Sequence, residues 1–163
     1  MHFSTDPPRL SQSLVTASIN GVINALIAWS AFRDRESVPL SVDSIGSPGI
    51  TALGNAATVA FSLAFIITCI TFFVFRGAAR KAPAGVGAAV GAIPFAPTGL
   101  RIALANTLLA FGAFVAAAVL WQRFAGTVAV GPVAATLVIA VVAAGATAFA
   151  EWRTKREMLR GVP

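Results

Sequence analysis

Four long apolar runs constrain this chain more than any other feature it has. They cover residues 14–32, 51–75, 100–121 and 132–150, and the only charged side chain in them is Arg101, at the edge of the third. An α-helix rises about 1.5 Å per residue, so each run suffices to cross a hydrocarbon core about 30 Å thick. A water-soluble bundle would instead need a polar face on every helix. The fourth run has only Thr136 and Thr147 to offer for one. Composition agrees with the bilayer: 11% of residues are charged and 57% hydrophobic, where soluble domains run near 25% charged.

The expectation is an all-α integral membrane protein, a single domain over 1–163. It is a bundle of four transmembrane helices, spans about 13–32, 50–75, 99–121 and 131–152, followed by a basic cytoplasmic tail at 153–163. Local signals mark the ends. Ser11 or Ser13 can cap the first helix, and Ser47-Pro48 and Gly131-Pro132 have the cap-then-proline form of a helix entry. The segment 83–97 is apolar but holds three prolines and three glycines. It is too short to span and reads as a plain or interfacial loop. The first run exceeds a secretory apolar core and carries Asn20 and Asn24, so it reads as a retained span, not a cleaved leader.

Four crossings put both termini and the segment between spans two and three on one side. That side carries Arg9, Arg76, Arg80, Lys81, Arg101, Arg153, Lys155, Arg156 and Arg160, whereas the other carries Arg33, Arg35 and Arg123. The asymmetry predicts cytoplasmic termini. Trp29, Trp121 and Trp152 fall at span ends, where an aromatic belt would place them. The net charge of +6 is thus a membrane-orientation signal and not a nucleic-acid footprint. Arginine and alanine richness suits a bacterial inner membrane. In the tail, Arg153, Lys155, Arg156 and Arg160 form a basic stretch fit for anionic lipid or for docking a partner.

Signatures of chemistry are lacking. Cys69 is a lone thiol inside the second run, which gives neither an internal disulfide nor a zinc spacing. The glycines of 85–91 follow no strand, and the acid that a dinucleotide turn requires about twenty residues later is missing. Asp34, Glu36 and Asp43 are too sparse for a cation loop, and His2 sits alone in a terminus. The expectation is no enzyme, no metal and no cofactor.

Uncharged polar groups remain. Asn20 and Asn24 share a face of the first helix with Ser13 and Thr16; Asn55, Thr58 and Ser62 share a face of the second; Asn106 lies in the third. Such groups must find partners in lipid. They predict either a solute path or interhelical bonding, such as Asn20 and Asn24 to Asn55 and Thr58. Two functions follow. The first is a permease or channel-like protein for a neutral or weakly polar solute, acting as a homo-oligomer. The alternative is a non-transporting assembly or accessory subunit that docks another membrane complex. The lack of ionisable groups deep in any run weighs against a proton-coupled carrier.

An internal repeat is also suggested. NALIAWSAF at 24–32 matches NTLLAFGAF at 106–114, half a chain away, so two repeated two-helix units would place Asn24 and Asn106 in equivalent positions.

Overall fold

Thr51 starts the second long helix: its backbone is extended and its hydroxyl accepts a hydrogen bond from Gly54 N at 3.2 Å. Pro132 opens the last helix, where Gly131 O accepts the first bond, from Ala135 N at 3.1 Å. Between such ends the computed structural model, which describes residues 10–42, 50–82 and 85–160, runs almost wholly as helix. The elements in order are α1 (Leu14–Phe32), β1 (Val38–Leu40), α2 (Ala52–Arg80), α3 (Val86–Ala92), α4 (Leu100–Ala125), β2 (Val128–Val130) and α5 (Pro132–Arg160). A single 3-10 turn, Leu10–Ser13, leads into α1. Four helices, counting α4 from Phe95, are long and apolar enough to cross a membrane. The expected Ser47-Pro48 entry lies outside the described residues, and α2 begins at Ala52.

The hub of the bundle is α5. It packs along α1 and α2 and more lightly on α4, while α4 lies mainly on α2. Lipid is as apolar as leucine, so close packing and hydrogen bonds hold such helices together, not apolar burial. The α1–α5 seam shows this. A Cβ on Gly21 would stand 3.2 Å from the Ala140 carbonyl oxygen and 3.3 Å from the Ala144 Cβ, so glycine here lets two backbones meet. Ala140 and Ala144, one turn apart on α5, thus have their small counterpart in α1.

Two clusters fill the ends. At one, Ala28, Phe32, Val38, Ala52, Ala56, Ala135 and Ile139 pack together, beneath a two-stranded antiparallel ribbon in which Val38 faces Val130 and Leu40 faces Val128. The ribbon was not foreseen; each strand is only three residues long. Gln122 ties this end further, its side-chain oxygen accepting from Val42 N at 3.0 Å. At the opposite, basic end, Phe72, Phe75, Ala79, Val90, Ile102 and Met158 form the second cluster.

The segment expected to be a loop contains α3, which buries Gly87, Val90 and Gly91 and packs on α2. Its small residues permit that contact where bulkier ones would hold it off. The chain then turns through Phe95, whose ring stacks on Phe73 at 4.7 Å and meets Phe72 edge-on at 5.4 Å. Exchanging the two halves of the chain carries the α1–α5 contact onto α4–α2 and the ribbon onto itself. In addition, α2 and α5 are both 29 residues long. The exchange is imperfect, because α4 also leans on α5 while α1 has no comparable contact with α2.

Candidate polar site within the bundle

Asn106 is fully buried, and its amide joins three helices. Its Nδ2 donates to Thr68 Oγ1 of α2 at 3.0 Å and to Thr154 Oγ1 of α5 at 3.1 Å. Thr154 in turn donates to Ala150 O at 2.6 Å. An amide nitrogen carries two protons, so this donor is saturated. Its oxygen, Oδ1, has no partner.

Three further buried oxygens are unpartnered: Thr136 Oγ1, Thr147 Oγ1 and Glu151 Oε2. All lie on α5. At about 100° per residue, Thr136 and Thr147 are three turns apart on one face, and Glu151 is one turn further along it. A helical threonine can satisfy itself by bonding the carbonyl four residues back. Thr154, Thr107 and Thr58 do so, whereas Thr136 and Thr147 do not. Each bare oxygen costs about 1–3 kcal/mol. The face therefore forms a column of acceptors about 22 Å long from Thr136 to Glu151, with Thr154 and the Asn106 amide just beyond.

Lys155 closes the column. Its ammonium donates to Glu151 Oε1 at 2.5 Å, and the two side chains are 8% and 6% exposed. This corrects one expectation: Lys155 is not part of a solvated docking tail. The reason is that nothing between 150 and 160 breaks the helix: α5 continues to Arg160 and buries Thr154, Lys155 and Met158 against its neighbours. The remaining basic residues of that stretch stay at the surface. The Arg153 guanidinium sits 5.8 Å from the Phe149 ring centre, Arg156 sits 5.1 Å from that of Trp152, and Arg160 pairs with Glu157 at 3.5 Å.

The other expected path residues do not converge on this column. Asn24 Nδ2 donates to Asn20 O in its own helix at 2.9 Å, and both residues flank Gly21 on α1, half-buried. No bond joins them to Asn55 or Thr58, because α1 packs along α5 and not along α2. Thr58 is exposed and donates to Gly54 O at 3.2 Å. Asn55 and Ser62 are half-buried, on the side of α2 opposite to its buried Ala60, Ala64 and Ile67. Asn24 and Asn106 therefore occupy unlike environments, despite their matching sequences. Thr136, Thr147 and Glu151 are not among the expected site residues, although a wheel drawn over 132–155 puts all three on one face.

Away from the column, on the other side of α5, an apolar cleft of about 250 Å³ lies between α4 and α5, lined by Leu109, Ala113, Phe114, Gly145 and Phe149 with Ala60 of α2. Among the described residues no group of His, Cys, Asp and Glu could hold a metal. Comparison with known proteins finds no matching family model, no matching curated protein and no matching solved structure.

Proposed function

We propose that this chain is a small permease or channel-like protein for a neutral or weakly polar solute. It works as an oligomer in a cell inner membrane, with both termini cytoplasmic. The observation that carries this reading is the column of bare oxygens on α5, Thr136 Oγ1, Thr147 Oγ1 and Glu151 Oε2. A static scaffold gains nothing from buried acceptors without donors. A protein that passes water or a small hydroxylated or amide solute needs such acceptors, because the solute supplies the donors in transit. Glu151 is neutralised by Lys155, so the column presents polarity without net charge, which suits an uncharged solute.

Stopped-flow light scattering on proteoliposomes tests it, with glycerol and urea as uncharged probes. Flux above that of empty liposomes is expected, and Thr147→Val, which keeps shape and removes the hydroxyl, should reduce it several-fold. Wild-type vesicles no faster than empty ones would sink the permease reading. Cysteine labelling from each side of intact cells tests the orientation.

A second reading, the accessory subunit, draws on a different observation. Asn55 and Ser62 lie half-buried on the side of α2 away from its packed face, and no hydrogen bond engages their side chains among the described residues. Amides in lipid call for a facing helix. Purification with a stoichiometric foreign membrane protein would favour this reading.

A further inference from the structure

At the basic end, two arginines are drawn to one oxygen. Arg76 Nε donates to Gly91 O at 3.1 Å, and Arg80 Nε donates to the same atom at 3.0 Å. The carbonyl has two lone pairs, and both are used. Like charges one helical turn apart repel, yet here they are held side by side. The seat is built for this. A Cβ on Gly91 would fall 2.7 Å from Arg80 Cγ, so only glycine lets Arg80 lie across α3. No carboxylate relieves the pair: the ion pairs among the described residues are Arg33–Asp34, Lys155–Glu151 and Arg160–Glu157.

Each guanidinium uses Nε on Gly91 and keeps its two Nη groups, four N–H donors in a planar fork. Two such forks side by side match the oxygens of a phosphate, which they can grip bidentately. The setting selects the source of that phosphate. Arg76 and Arg80 occupy the last turns of a membrane-crossing helix, the level of lipid headgroups. Phe73, one turn back on the same face, is 52% exposed and offers apolar surface where an acyl chain would descend.

We propose that Arg76 and Arg80, clamped on the Gly91 carbonyl, form a binding site for the phosphate headgroup of an anionic phospholipid. The site is separate from the α5 column, and its occupancy does not depend on transport.

Native mass spectrometry of the detergent-purified full chain, exchanged against equal phosphatidylglycerol and phosphatidylcholine, tests this. The wild type should retain phosphatidylglycerol preferentially, and Arg76→Gln with Arg80→Gln should lower that preference about tenfold. Arg153→Gln with Arg156→Gln, at the same end, should leave it intact. Equal loss in both double variants would mean diffuse attraction and overturn the site. Inorganic phosphate at millimolar level should not displace the lipid. Binding of phosphate alone, with no lipid retained, would overturn the lipid assignment. Should the arginine variant fail to fold, a photoreactive phosphatidylglycerol on the wild type decides. Cross-links within 73–92 are expected, and cross-links confined elsewhere would refute the proposal.

Discussion

Individual side chains hold this bundle together in ways that few substitutions tolerate. Glu151 and Lys155 are the sharpest case. Removing one member of a buried ion pair strands the other and costs about 3–5 kcal/mol, whereas an apolar or neutral replacement of both is far milder. Lys155→Met alone is therefore expected to destabilise strongly, and Glu151→Gln added to it should recover most of the loss. Thermal unfolding of the four variants in detergent measures the coupling; additive effects would refute the pairing. Gly21 makes a second case. Alanine there requires Ala140 and Ala144 to give a few tenths of an ångström, while leucine must push α1 away at about 1–3 kcal/mol. A cysteine cross-link between α1 and α5 should survive Gly21→Ala and fail in Gly21→Leu. At this scale the sequence was only partly legible. The polarity of Asn106 was visible, but its partners Thr68 and Thr154 lie 38 and 48 positions away, and nothing local names them. Glu151 looked like a span-end residue because hydropathy falls there, and hydropathy does not register that a neighbouring helix covers it.

At the scale of elements, the apolar runs matched the helices because a bilayer leaves the backbone no other way to satisfy itself. Ends were harder to read. α2 passes Phe75 to reach Arg80, and α5 passes Ala150 to reach Arg160. Composition marks where lipid stops, not where the hydrogen-bond ladder stops. α3 was illegible because proline and glycine argued for a loop, while the contact with α2 that stabilises it is tertiary. The start of α2 makes a further prediction. Thr51→Ala removes the cap on Gly54 N and should cost about 1 kcal/mol. Hydrogen exchange at the amides of 52–55 should speed up while mid-helix amides stay protected. Unchanged exchange there would show that the cap contributes nothing.

For the whole molecule, the distribution of contacts is uneven. α1 buries only Ala17, Gly21, Ala28 and Phe32 and leans on α5, whereas α5 touches all three other spans. Pulled from its N-terminus by single-molecule force, the protein should release α1 as a separate first event, with the rest yielding later. Simultaneous release of α1 and α5 would contradict this. The matched segments 24–32 and 106–114 hinted at two halves, and the contacts follow that pattern in part. They could not reveal that each half contributes one strand to a shared ribbon, since three residues of Val, Pro, Leu or Ala make no periodic signal.

That ribbon has a mechanical consequence, because the two halves are fastened at both tips. At one tip the strands pair and Gln122 accepts from Val42 N. At the other, Asn106 of the second half donates to Thr68 of the first, and Phe72 and Phe75 pack with Ile102 and Met158. Two rods pinned at both tips cannot swing like scissor blades, so parting the halves at either end means breaking the pin that sits there.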